Sequence, residues 1–168
     1  IRLINVNYNN NANRISDEIL YFNGESTLIS LQNGGGKSVL VQMLTAPFVH
    51  SRYRNAKDRL FESYFTTAKP SFILVEWALD QGAGYVLTGL MVRKAQDMQE
   101  ERKENLDIVG IISEYQEPCI QDIRNLPVVE KGKKEMTLKN FNSCRQLFET
   151  YKKDRDMNFF YYDLTNYA

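Results

Sequence analysis

The sequence predicts an α/β fold with α+β character, in which a mixed and antiparallel sheet surrounds one buried helix. The first observation is a glycine-rich loop, Asn33–Ser38, between apolar runs at 27–31 and 39–44. The second is a pair of β-rich runs, 71–79 and 85–92, joined by a short glycine-containing loop, a pattern typical of an antiparallel hairpin. This order of elements differs from the strand–helix alternation that builds a doubly wound parallel sheet.

The residues before the glycine-rich loop are predicted to form a strand meander. Alternating and β-rich residues favour strands at 2–8 and within 14–22, separated by the polar turn 9–13. The Asn-Gly pair at 23–24 predicts a turn before a third strand, Thr27–Leu31. That strand is expected to lead directly into the loop.

Two helices are expected next. The first runs from Lys37 to about Thr45 and is apolar on nearly all sides, which is typical of a buried helix; Pro47 follows as a terminator. Asn55 can cap the second, which should end near Pro70. Its apolar face is predicted to contain Leu60, Phe61, Tyr64 and Phe65.

The C-terminal part is predicted to continue with a charged stretch at 93–105, a strand at 108–115 and a basic turn at 131–134. A last amphipathic helix is expected over about 140–153. Its inward residues are predicted to be Phe141, Leu147, Phe148 and Tyr151.

The glycine-rich loop matches most of the phosphate-loop pattern G-x-x-x-x-G-K-[ST]. Its residues are Asn33, Gly34, Gly35, Gly36, Lys37 and Ser38. Glycines let successive backbone N–H groups point at one anion, and the start of the following helix adds its positive dipole end. Lys37 would pair with the β- and γ-phosphates of ATP, and the Ser38 hydroxyl would coordinate Mg²⁺. The sequence departs from this pattern at the first position, where Leu31 stands in place of glycine.

Composition narrows the function classes. The 168 residues carry 21 basic and 21 acidic side chains, so total charge neither favours nor excludes DNA. Cys119 and Cys144 lack metal-site or C-x-x-C spacing, which indicates reduced thiols rather than metal or redox chemistry. Neither a membrane span nor a signal peptide is visible, so we expect a cytoplasmic protein with no membrane partner. Because the chain starts at Ile1, we expect it to be part of a longer protein.

Residues 1 to about 95 resemble the N-terminal half of the ATPase head of the structural-maintenance-of-chromosomes group. The likeness is to the bacterial condensin branch of the MukB type and its plasmid-defence relative, Wadjet. It is carried by the Asn-Gly-x-Gly-Lys-Ser core at 33–38 and by Tyr53-Arg54-Asn55 after the helix. Residues 96–168 share it only in outline.

This resemblance implies an ABC-type head whose N-terminal lobe is the single partial domain 1–168, with its P-loop at 31–38. The implied nucleotide-binding residues are those of the loop together with Val39 and Arg54, and the implied cofactors are ATP and Mg²⁺. Implied partners are the C-terminal lobe of the same head, a second head in a homodimer, DNA and kleisin-like accessory subunits. The implied location is the bacterial nucleoid.

Other parts of such a head are not found in the sequence. No Leu-Ser-Gly-Gly signature is present, so catalytic residues are expected outside this chain. Glu76 and Asp163 each follow four bulky residues, as a metal-binding acid does, but Glu76 is better explained as a solvent-facing hairpin residue. Gln81 at a hairpin tip is in the wrong context for a Q-loop glutamine.

The basic residues and the lone histidine give weaker signals. Arg54 is the preferred phosphate or DNA contact among the arginines that follow the first helix, which also include Arg52 and Arg59. The lysines of the turn at 131–134 are better explained as solvated charges than as a DNA contact. His50 has no partner carboxylate nearby in sequence and is assigned no catalytic part.

Two alternatives stay open. A stand-alone P-loop kinase or GTPase would share the loop, but the chain lacks parallel βα alternation and the guanine-reading Asn-Lys-x-Asp. A non-catalytic interaction domain with a degenerate loop would account for Leu31.

Overall fold

The computed structural model describes residues 1–32, 36–56, 59–96, 105–132 and 134–161. In these ranges a sheet is built from strands in the order β2-β1-β3-β4-β5-β8, and a separate small hairpin pairs β6 with β7. The strands are β1 (Arg2–Tyr8), β2 (Asn13–Ile19), β3 (Ser71–Ala78), β4 (Tyr85–Lys94), β5 (Leu106–Tyr115), β6 (Val129–Lys131), β7 (Met136–Leu138) and β8 (Met157–Tyr161). The α-helices are α1 (Lys37–Thr45) and α2 (Phe141–Asp154).

The chain is therefore a mixed α/β structure with few helices. Each strand pairing described is antiparallel, including those that join β1 to β3 and β5 to β8. The antiparallel part of the predicted mixed sheet is confirmed, and no parallel pair occurs within the described ranges. The hairpin of β3 and β4 is confirmed over its whole length, from the pair Ser71 and Val92 to the pair Ala78 and Tyr85.

Successive residues of the central strands point to opposite faces of the sheet, and each face has its own core. On β3, Ile73 and Val75 belong to one cluster, which also contains Met43 of α1. Phe72 and Leu74 belong to the other, which contains Phe148 of α2. The sheet thus separates α1 from α2.

Asn5 changes the side-chain alternation of β1. Its φ of 56° lies in the left-handed region, where asparagine is tolerated better than most residues. Leu3 and Val6, an odd and an even position, consequently join the same cluster. The Ser71 hydroxyl donates to the Asn5 carbonyl at 2.5 Å, and the Asn5 amide donates to the Pro70 carbonyl at 3.3 Å. These two bonds fix the kink against β3.

The predictions of the helices α1 and α2 are confirmed. The prediction of a further helix between them, from Asn55 to near Pro70, is wrong. Residues 61–64 form only a short 3-10 turn. The Asn55 side chain accepts a hydrogen bond from the Phe61 N–H at 2.8 Å, so it caps this turn rather than a long helix. Leu60 is 56 % exposed, whereas Phe61, Tyr64 and Phe65 are buried. Asparagine at 140 caps α2 through the Ser143 N–H, at 2.8 Å.

The predicted strand Thr27–Leu31 is absent, since residues 26–32 have no regular secondary structure. Leu28 is 93 % exposed, and none of the described strands pairs with this segment. The prediction that α1 is buried on nearly all sides is also wrong. Val39, Leu40 and Met43 are buried, but Val41 is 61 % exposed. The helix lies on one face of the sheet and leaves its outer side open.

No helix in the described ranges is long and apolar enough to cross a membrane.

Candidate nucleotide site

The start of α1 depends on a left-handed glycine. Gly36 precedes the helix with φ 93° and ψ 15°, a conformation that L side chains rarely adopt. A Cβ placed there would lie 3.6 Å from the ring of Tyr8 on β1, so the loop end rests beside the sheet. No side chain among the described residues caps the helix at this end, and its first turn contains no acidic residue. Among the described residues, no side chain competes with an anion for the N–H groups of this first turn.

Lys37 and Ser38 are exposed on the first turn of α1. Nζ of Lys37 donates to the carbonyl oxygen of Leu31 at 2.5 Å. The Ser38 hydroxyl makes no hydrogen bond to any other described residue. Val39 is different, because its side chain is buried in the core and only its backbone can face a ligand. The remaining loop residues, Asn33, Gly34 and Gly35, lie outside the described residues.

An open cavity of about 400 Å³ extends from this turn along the exposed side of α1. Ligand cavities have volumes of roughly 300–1,000 Å³, so it is large enough for a small molecule. Lys37 and Ser38 line it at the helix start, and Tyr53, Arg54 and Asn55 line it from the segment that follows the helix. Its remaining lining residues are Val41, Gln42, Thr45 and Ala56.

Arg54 lines this cavity but is itself buried, with only 3 % of its surface exposed. Its Nε donates to the Ala46 carbonyl at 3.1 Å, and its guanidinium lies 5.8 Å from the ring centroid of Phe61. Arg54 thus ties the end of α1 to the 3-10 turn. Arg52 and Arg59 are exposed, and Arg52 lies 4.6 Å from the ring centroid of Tyr53.

A buried polar network beneath the cavity was not predicted from sequence. The Tyr64 hydroxyl donates to Oε1 of Gln42 at 2.6 Å, and Nε2 of Gln42 donates to the Arg54 carbonyl at 2.8 Å. Burial raises the pKa of Tyr64, opposed by the charge of Arg59. One signal was available, since Gln42 is a lone amide within an otherwise apolar helical run.

Glu76 does not turn to solvent as predicted. The Tyr115 hydroxyl donates a short hydrogen bond to the Glu76 carboxylate. The hydroxyl oxygen of Tyr115 also accepts from the Ile123 N–H at 3.3 Å. Burial, followed by the hydrogen bond to Glu76, raises the pKa of Tyr115. Glu76 therefore binds a sheet tyrosine, and Asp163 lies outside the described residues. The described residues contain no group of three or more side chains suited to hold a metal ion.

The other sequence candidates are separate from the cavity. Gln81 lies in the β3–β4 loop with φ 58°. Nδ1 of His50 accepts from the Arg52 N–H at 3.3 Å. In the basic turn Lys134 is exposed, Lys133 lies outside the described residues, and the Lys131 side chain is likewise not described.

Comparison with known protein families finds no family model that matches this chain, and comparison with curated proteins finds no matching relative.

Proposed function

We propose that this chain is the ATP-binding N-terminal half of a condensin-like, chromosome-segregation ATPase head. Together with a C-terminal lobe it would bind and hydrolyse ATP, drive engagement of two heads and so organise DNA. Kleisin-like subunits would be its accessory partners. The proposed location is the cytoplasm, at the bacterial nucleoid.

One observation carries the proposal: Gly36, Lys37 and Ser38 open α1, and Lys37 and Ser38 line a ligand-sized cavity. An ammonium, a hydroxyl and an uncapped helix N-terminus are the groups that bind a triphosphate and its Mg²⁺. These are groups for binding. General-base chemistry and a second metal ligand would come from the C-terminal lobe and from the opposing head.

Antiparallel pairing supports this proposal over a stand-alone kinase or GTPase. Those enzymes place the phosphate loop between a parallel strand and its crossover helix. Here the strand pairs adjacent to α1 in the fold, β1 with β3 and β3 with β4, are antiparallel.

A non-catalytic interaction domain is the second candidate, favoured by exposed apolar residues before the loop and on α1. Leu28 is 93 % exposed and Leu31 is 40 % exposed. Such residues are suited to contact another protein surface. In that case, replacement of Lys37 by alanine would leave nucleotide affinity unchanged.

Steady-state turnover separates the enzyme classes. The purified chain should show no hydrolysis of ATP or GTP, whereas the complete head should hydrolyse ATP at a rate that rises more than linearly with protein concentration. The reason is that two heads must meet. Lys37→Ala in the complete head should abolish turnover.

Turnover by the 168-residue chain alone, strictly proportional to its concentration and lost in Lys37→Ala, would contradict the divided head. That result would favour the kinase or GTPase.

A further inference from the structure

The cavity beside α1 is lined by polar side chains and by one exposed apolar side chain of the helix. Lys37 and Ser38 lie at the helix start, and Tyr53 and Asn55 lie in the segment that follows the helix. Val41, 61 % exposed, also lines the cavity. From Lys37 to Thr45 the helix axis advances by roughly 12 Å, at 1.5 Å per residue. This arrangement suits a ligand with an anionic end and a flat or apolar end.

Most polar groups in the middle of the cavity are already bonded within the protein. Gln42 uses its Oε1 for Tyr64 and its Nε2 for the carbonyls of Arg54 and Arg59. The Thr45 hydroxyl donates back to the helix at the Val41 carbonyl, at 3.1 Å. Gln42 and Thr45 therefore shape the cavity, but their polar groups are not available to a ligand. A ligand would therefore make its polar and aromatic contacts with Lys37, Ser38 and Tyr53.

Tyr53 is the aromatic side chain in the lining of the cavity. It is 63 % exposed, and its hydroxyl makes no hydrogen bond to another described residue. The Arg52 guanidinium lies 4.6 Å from its ring centroid and does not line the cavity. Arg52 stabilises the ring by a cation–π contact, and Tyr53 itself lines the cavity.

We infer that Tyr53 stacks on the base of a purine nucleoside triphosphate whose phosphates bind at Lys37 and Ser38. This inference rests on the proposed ATP site and adds the residue that contacts the base. Stacking engages the π-face of a base, so a large purine should bind better than a pyrimidine. Asn55, whose Oδ1 accepts from the Phe61 N–H, lines the same cavity.

Comparison of ATP with inorganic tripolyphosphate isolates the base. We expect Tyr53→Ala to weaken Mg·ATP binding by about tenfold, since base–aromatic stacking has that order of effect, and to leave Mg·tripolyphosphate binding unchanged. Tyr53→Phe retains the ring and should bind both ligands as the unmodified chain does. Lys37→Ala should weaken both. Circular dichroism of each variant checks that the fold is retained, which the exposure of Tyr53 favours.

Two failures can be told apart. If Tyr53→Ala binds ATP normally while Lys37→Ala loses both ligands, the base lies elsewhere and the proposed function stands. If the unmodified chain binds neither ligand, or Lys37→Ala binds both equally well, the nucleotide site and the inference about its base both fail.

Discussion

Lys37 donates its ammonium hydrogen bond to the backbone carbonyl of Leu31, with 2.5 Å between Nζ and the oxygen. Leu31 occupies the position at which the phosphate-loop pattern has its first glycine. The lysine therefore spans the loop from the helix side to the entering chain. A bound phosphate would offer it a charged acceptor in place of this neutral carbonyl, and charge-assisted hydrogen bonds are the stronger kind.

Replacement of Leu31 by glycine should leave nucleotide affinity within about twofold, because the atom that meets Lys37 belongs to the backbone, which every residue supplies. The Leu31 side chain is 40 % exposed and is not part of the cavity lining. Calorimetric titration of Leu31→Gly with Mg·ATP checks this. A large gain in affinity would show instead that the leucine side chain impairs the loop.

Tyr64→Phe should destabilise the fold by about 1–3 kcal/mol, because Oε1 of buried Gln42 loses its donor. Urea unfolding measures the change. Tyr53→Phe is the matched control, since it removes the hydroxyl of an exposed tyrosine and should change stability by less than about 0.5 kcal/mol. Equal stability of the two variants would mean that the Gln42 network contributes little.

Arg2→Ala should be among the most destabilising single changes, at about 3–5 kcal/mol. The guanidinium binds Asp17 through two nitrogens at 2.8 Å each, and it also donates to the Ile123 carbonyl at 3.0 Å. It joins β1, β2 and the segment before β6. Asp17, whose side chain is 16 % exposed beside Arg2, would lose this cation.

The control for Arg2→Ala is Glu130→Gln, which alters an exposed ion pair with 3.9 Å between Nζ of Lys139 and Oε1 of Glu130. Chemical denaturation should show almost no effect for that variant. A loss below about 1 kcal/mol for Arg2→Ala would place the pair in the same weak class.

Cys144 should resist alkylation in the folded protein. It is fully buried, and burial raises its pKa from 9.0 to about 12, so the reactive thiolate is scarce at pH 8. Cys119 is half-buried and should react first. The raised pKa means that Cys144 supports folding below pH 9 and that this contribution declines as the pH rises towards 12.

Mass spectrometry after iodoacetamide treatment, with and without urea, tests the thiol prediction. One adduct is expected on the native chain and a second after unfolding. Equal rates for both thiols in the native state would show that the α2 core opens readily.

The elements that sequence predicted best carry local signals. The β3–β4 hairpin has its own glycine-containing loop, and α2 has a cap at Asn140 and a helical apolar period. The strand predicted at 27–31 from its β-rich residues was wrong, because such residues form a strand only when a partner strand lies beside them. The strand β1 instead pairs with β2 and β3, which occupy both of its edges.

The site was predictable only in part for a similar reason. Gly36, Lys37 and Ser38 are contiguous in sequence, and their motif is itself the signal. The role of Arg54 at the Ala46 carbonyl and the bond between Tyr64 and Gln42 depend on contacts across 8 and 22 residues of chain. The hydrogen bond between Tyr115 and Glu76 joins residues 39 positions apart, and the local sequence around either residue does not indicate it.

A Mg·ATP titration of the isotope-labelled chain, followed by NMR, tests the nucleotide site most directly. We expect the amide signals of residues 36–39 to shift, and Lys37→Ala to weaken binding about ten- to a hundredfold through loss of a charge-assisted contact. Lys69→Ala, which removes an exposed lysine outside this cavity, should bind as the unmodified chain does. Equal affinity in all three chains, or shifts confined to other residues, would contradict a nucleotide site at the start of α1.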